Sequence, residues 1–281
     1  YILSHYIPRV NKYISFFYAD ITEVVNMSEI NFTQRDIIDT AMLQSAVDMG
    51  CSPEDFLKTE PVIVPSRVHS GARAYLEEPL FFDIASYGSN IVAQCVPEMA
   101  EFARDYVSRA DIERCFETPF IYGLNDELAK YGETTYYMAV YYLPDLAALN
   151  AFDGSGSDAL GYETRILRQG DFTGLYTPEW GNALSPKRPH LDMIGAGAYL
   201  DGRLVGLAGA SADCDAMWQI GIDVLPEYRR MGIASTLVNR LAREILSIGK
   251  VPFYCAAWSN VKSAKCAMRA GFRTAWAQMT A

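Results

Sequence analysis

The chain has 281 residues, half of them apolar, and a formal net charge of −10, which allows one or two ordinary globular domains. Residues 1–160 hold 10 basic and 24 acidic side chains, against 14 and 10 in residues 161–281, so the first part lacks the basic face that nucleic-acid binding requires. No run of about 18 uncharged apolar residues is present to span a membrane, and six scattered cysteines with three histidines form neither a disulfide framework nor a metal-ligand spacing. Reduced thiols, a cytoplasmic setting and no metal are the expectation.

Residues 1–26 are rich in Tyr, Ile and Phe without a clean period, and Arg9, Lys12 and Asp20 interrupt the apolar runs, unlike a secretory signal. Two readings stay open for them: an extra segment before a start at Met27, or a helix packed on the first domain. Residues 34–49 place Ile37, Ile38, Met42 and Val47 at helical spacing. Ser52 followed by Pro53 and two acids marks another helix start. Strands are expected at 72–77, 80–86 and 89–95, helices at 97–108 and about 123–131, and a strand at 134–144. The reading is a smaller α+β domain over 27–152, with no catalytic constellation in it. The small polar run "DGSGSD" at 153–158 marks a linker over 153–160.

From 161 to 281 the pattern sharpens. A strand at 162–168 precedes two short helices, the second opened by Thr177 and Pro178. Two strands form a hairpin turning at Asp201-Gly202, and a third comes at 217–225. Ile233, Leu237, Leu241 and Ile245 lie on one stripe of a helix ended by Gly249. A covered strand at 251–258, a helix at 260–270 and a last strand from Phe272 complete the order. Strand, helix and strand over 217–258 make a β–α–β unit whose helix start can hold an anion on its free N–H groups. Gly232 and Ala234 let the anion approach, and Arg229 and Arg230 add donors.

The run Arg229-Arg230-Met231-Gly232-Ile233-Ala234, with Asn260 followed eleven residues later by Gly271-Phe272, resembles the GNAT superfamily of acyl-CoA-dependent N-acetyltransferases. The resemblance covers residues 162–281. It implies a GNAT fold, a mixed and mostly antiparallel sheet with flanking helices, and acetyl-CoA as cosubstrate. Ile222, Asp223 and Val224 would pair with the pantetheine arm, residues 230–235 (Arg230 to Ser235) would hold the pyrophosphate, and Asn260 and Ser263 would lie near the far arm of the cofactor. The implied chemistry is direct attack by an amine, with the Val224 amide on the oxyanion and Glu179 as the general base. Asp223 is a second candidate base, with fixing the strand end as its other role.

Two departures stand out. The family's tyrosine position is Ala267, so either Tyr254 or a thiol such as Cys255 substitutes, or the thiolate, with a pKa of about 8.5, leaves without an acid. The family sheet usually ends with two strands after the Gly-Phe helix, and one fits before Ala281, so the other is lost or supplied by the first half. His190 and Cys214 read as loop residues, and Trp180 and Trp218 as core or pocket wall. The partner is a small-molecule or protein amine, with no nucleic acid and no membrane. The other reading is a CoA-binding regulatory protein without transfer activity, since fold alone does not fix function.

Overall fold

The computed structural model describes residues 31–154 and 161–281. The segment 1–26 and residues 155–160 of the expected linker lie outside the described residues. Helix α1 (Gln34–Met49) starts at Thr33, where the Thr33 hydroxyl accepts from the Asp36 N–H and the Asp36 carboxylate accepts from the Thr33 N–H, and stops at Gly50 with φ 65°. The Pro53 start yields one 3-10 turn, Pro53–Leu57.

No strand forms at 72–77. Arg73 is drawn inside instead: its backbone N–H and its guanidinium both bond Asp48 of α1, at 2.9 and 2.5 Å, and the Ala74 N–H bonds the Asp213 carbonyl. These loop partners satisfy backbone groups that a ladder would otherwise take. The first strand is β1 (Val62–Pro65), a short apolar run passed over in the sequence, followed by β2 (Phe82–Ser86) and β3 (Val92–Cys95). Helices α2 (Ala100–Arg109) and α3 (Thr118–Leu128) lead to β4 (Tyr137–Pro144) and the short α4 (Leu146–Asn150).

The second half holds β5 (Glu163–Arg168), β6 (Asp192–Leu200), β7 (Arg203–Ser211), β8 (Met217–Val224), α5 (Ile233–Ser247), β9 (Val251–Ala257), α6 (Val261–Arg269) and β10 (Phe272–Thr280). The two short helices expected before β6 are single 3-10 turns at Gln169–Phe172 and Pro178–Trp180. All ten strands join one sheet in the order β1-β3-β2-β10-β4-β9-β8-β7-β6-β5. The β1–β3 and β8–β9 pairs are parallel and the others antiparallel. The strand beside β9 is thus β4, supplied by the first half, with β10 on its other side.

Side chains alternate between faces along a strand, and three glycines define the faces here. A Cβ at Gly206 would meet Ile233 and Leu237 of α5, whereas one at Gly209 would meet the Ala183 carbonyl oxygen at 2.0 Å and one at Gly221 the Asn182 carbonyl oxygen at 1.8 Å. Helix α5 therefore covers one face, and residues 182–183 cross the other over Gly209 and Gly221, which are direct partners. Only hydrogen at those two positions lets backbone lie against backbone. On this second face Arg73 sits over the rings of Phe253 and Trp276, at 5.1 and 5.5 Å, and Trp276 stacks on Tyr141 at 4.5 Å. Paired with Asp48 and lying over aromatic faces, the guanidinium ties α1 and the loop after β1 to β9 and β10.

Candidate functional site: the cleft between parting strands

Strands β8 and β9 are paired only from Met217–Val251 to Gln219–Phe253. Beyond that point β8 keeps β7 as its partner, while Tyr254 to Ala257 of β9 pair with β4. The two strands part, and a cleft of about 1150 Å³ opens between them. Its wall on one side is the edge of β8. The Leu225 N–H donates to the Val205 carbonyl at 3.0 Å, and antiparallel partners alternate between bonded and non-bonded pairs. Asp223 therefore turns its backbone toward β7, while Ile222 and Val224 turn theirs to the open edge. The Val224 carbonyl is met there by the Arg229 Nε at 2.9 Å. Of the three strand residues expected to offer backbone to a ligand, Asp223 is the one that does not.

The Asp223 side chain has a structural task. Its carboxylate accepts from the Asn182 N–H (2.8 Å), the Asn182 side-chain amide (2.6 Å) and the Ala183 N–H (3.0 Å). It pins the 182–183 crossing to the end of β8, as the alternative role for it in the sequence anticipated. Glu179 stands on the same segment but is exposed and is not among the residues lining the cleft. A hydrogen bond from Thr177 lowers its carboxyl below the usual range, which weakens it as a base.

At the mouth the chain turns through two left-handed residues, Arg230 with φ 68° and Gly232 with φ 81°. Gly232 is the N-cap of α5 and no side chain caps that end. The Ser235 and Thr236 hydroxyls donate to the Gly232 carbonyl, at 2.9 and 3.2 Å, so they leave the first N–H groups of the helix open. An uncapped helix start, a left-handed turn and the two arginines make a site suited to a phosphate-like anion. The residues expected as the cradle, Arg229, Arg230, Gly232, Ile233, Ala234 and Ser235, all line this cleft; Met231 instead lines a second hollow beside it.

The opposite wall is β9 and α6. The Asn260 side chain caps α6 by accepting from the Ser263 N–H at 3.2 Å. The Tyr254 hydroxyl and the Ser263 hydroxyl share a 2.7 Å hydrogen bond, and burial raises the Tyr254 phenol well above its ordinary range, so it holds its proton. Cys266 also lines the cleft, its thiol pushed up to about 12 by burial. Ala267 is fully buried and takes no part. Trp180 and Trp218 are buried in core clusters, and Cys214 is buried with its sulfur on the Met217 carbonyl.

Three cations of α6, Lys262, Lys265 and Arg269, line the cleft as well. Their three- and four-residue spacing places them on one helical face, a signal present in the sequence and overlooked there. Gln219 and Tyr137, at the point where the strands part, had no such signal, because only the topology brings β4 beside β9.

Residues 162–272 match the Acetyltransferase (GNAT) family. No curated protein matches the chain. Among solved structures, the chain is similar to a GNAT-family protein from Novosphingobium aromaticivorans, at 21% identity over 51% of this chain and 63% of that one, with a TM-score of 0.38. It is similar to a GCN5-related N-acetyltransferase-like protein from Streptococcus suis, at 20% identity over 56% and 67%, TM-score 0.41. An aminoglycoside N-acetyltransferase in complex with CoA shares 24% identity over 40% and 90%, TM-score 0.31. The chain spans less than two thirds of the length of the first of these.

Proposed function

Given that residues 162–272 match the acetyltransferase (GNAT) family, we propose that the protein moves an acetyl group from acetyl-CoA to an amine by direct attack. The observation that carries this reading is the uncapped start of α5, joined without a break to the cleft where β8 and β9 part. The N–H groups of Arg230 to Ser235, with Arg229 and Arg230, hold the pyrophosphate. Ile222 and Val224 hydrogen-bond the pantetheine arm through backbone groups, and Asn260 and Ser263 face it from α6.

A free N–H on the β8 edge, that of Val224 or the deeper Ile222, stabilises the oxyanion formed when a neutral amine adds to the thioester carbon. Collapse breaks the C–S bond, and the protonated Tyr254–Ser263 pair supplies the proton to the departing sulfur. With Asp223 held by Asn182 and Ala183 and Glu179 in solvent, the ammonium proton of the acceptor passes to water. The acceptor is a small-molecule or protein amine.

Calorimetry with acetyl-CoA on the wild type and on the Arg230→Ala/Gly232→Asp double variant tests the cradle. Micromolar binding that the double change abolishes supports it, and a folded wild type without binding removes the reading. A second reading, CoA binding without transfer, is favoured by Ala267, which stands where the family's tyrosine does. Thiol release from acetyl-CoA with a panel of amines separates the two.

A further inference from the structure

At the inner end of the cleft, side chains from three strands close the gap between β8 and β9. Gln219 on β8 donates its side-chain N–H to the Cys255 sulfur on β9 at 3.1 Å. The hydroxyl of Tyr137 on β4 lies 3.5 Å from the same sulfur. All three line the cleft. Gln219 is also the last β8 residue paired with β9, so the bridge sits where the strands begin to part. Burial raises both the Cys255 thiol and the Tyr137 phenol, and with the amide of Gln219 the bridge is uncharged.

The phosphate cradle is at the other end of β8. A ligand arm laid along the open edge past Val224 and Ile222 runs toward the bridge. From Ile222 to Gln219 is three residues, about 10 Å of strand, and the Gln219, Cys255 and Tyr137 contacts bridge its inner end.

We propose that Gln219, Cys255 and Tyr137 form the floor of the acyl pocket and limit the length of the acyl group. This rests on the acyl-CoA reading of the cleft. An acetyl group fits above the bridge, and a longer chain meets it. The thioester carbonyl then lies at the N–H of Ile222, and the Val224 N–H serves the arm. An uncharged floor also favours a neutral acyl group, because a carboxylate on the acyl chain would be desolvated without a partner. One of the three floor residues comes from the first half of the chain, which makes that half part of the donor site.

The test is calorimetry of the full chain with CoA, acetyl-CoA and hexanoyl-CoA, on the wild type, a Gln219→Ala/Cys255→Ala double variant and Cys255→Phe. Wild type is expected to bind hexanoyl-CoA at least about tenfold more weakly than acetyl-CoA, the scale on which a closed pocket discriminates methylenes. The double variant brings the two within about threefold of each other. Cys255→Phe weakens acetyl-CoA by about tenfold and leaves CoA itself unchanged. CoA has no acyl group, so its unaltered affinity reports that each variant is folded; if the double variant loses CoA, the milder Gln219→Ser is read in its place. Equal affinity of wild type for acetyl- and hexanoyl-CoA, or a floor variant as selective as wild type, overturns the proposal alone. A folded wild type that binds none of the three overturns the acyl-CoA reading and the floor with it.

Discussion

Arg230 shows what the cradle costs the fold. It holds a left-handed conformation, φ 68°, that an L residue with a Cβ adopts at a penalty of about 1–2 kcal/mol. Arg230 lines both the cleft and the hollow beside it, which is where an anion would use its charge. Arg230→Gly removes the penalty and the charge together, so the two consequences have opposite signs. Stability in urea should rise or hold level, since glycine's extra freedom in the unfolded chain offsets part of the relief, while acetyl-CoA affinity falls. A variant that loses stability would show that the turn is not strained. Asp83 carries a second residue-scale prediction. It is fully buried, accepting from Thr280, Gln278 and Gln94, and burial lifts its carboxyl from an ordinary 3.8 to about 6. A folded pKa above the unfolded one means that ionisation favours the unfolded chain. The stability this carboxyl lends is complete below about pH 4 and is lost as the pH rises through 6, by about 3 kcal/mol at 1.36 kcal/mol per unit. Asp83→Asn does not titrate. Between pH 4 and pH 7 wild type should therefore lose roughly that amount relative to the variant in urea unfolding, and a difference independent of pH would count against the shift.

At the scale of elements, the sequence was most readable where local chemistry decides the outcome. The amphipathic stripe of α5 and the glycine stops after α5 and α6 correspond to observed helices. It was least readable where a tertiary partner decides. The run at 72–77 has strand composition but is held as a loop by Asp48 and Asp213. Nothing within that stretch announces those partners. Helix α6 lies between these cases: Lys262, Lys265 and Arg269 share one face by spacing alone, and only the fold sets that face on the cleft. All three are exposed, so on the proposed reading their pull on CoA phosphates would be screened by salt. Replacing the three by alanine should weaken acetyl-CoA binding about tenfold at about 0.1 M salt and by much less near 1 M, where the Debye length is about 3 Å. A loss that persists at high salt would mean that the lysine and arginine stems pack against the ligand instead.

For the whole molecule, the governing fact is the position of β4. It pairs with β10 over eight residues and with β9 over four, so a strand before the polar run at 153–158 lies between two strands after it. The composition of that run marks a joint in the chain, but strand order is not written in composition, and the sheet crosses the joint. Arg73 over Phe253 and Trp276 adds a buried tie between the halves. Expressing residues 161–281 alone tests whether they are an autonomous domain. In that fragment β10 would have neither β2 nor β4, β9 would show an unpaired inner edge, and Phe253 and Trp276 would lose their cover. Exposed, apolar, unpaired edges favour aggregation over a cooperative fold. The fragment should therefore give no cooperative thermal transition and no acetyl-CoA binding, and residues 31–154 supplied in trans should restore both. A fragment that melts cooperatively and binds acetyl-CoA alone would show that β5 to β9 and their two helices suffice, and would confine the first half to the floor of the cleft.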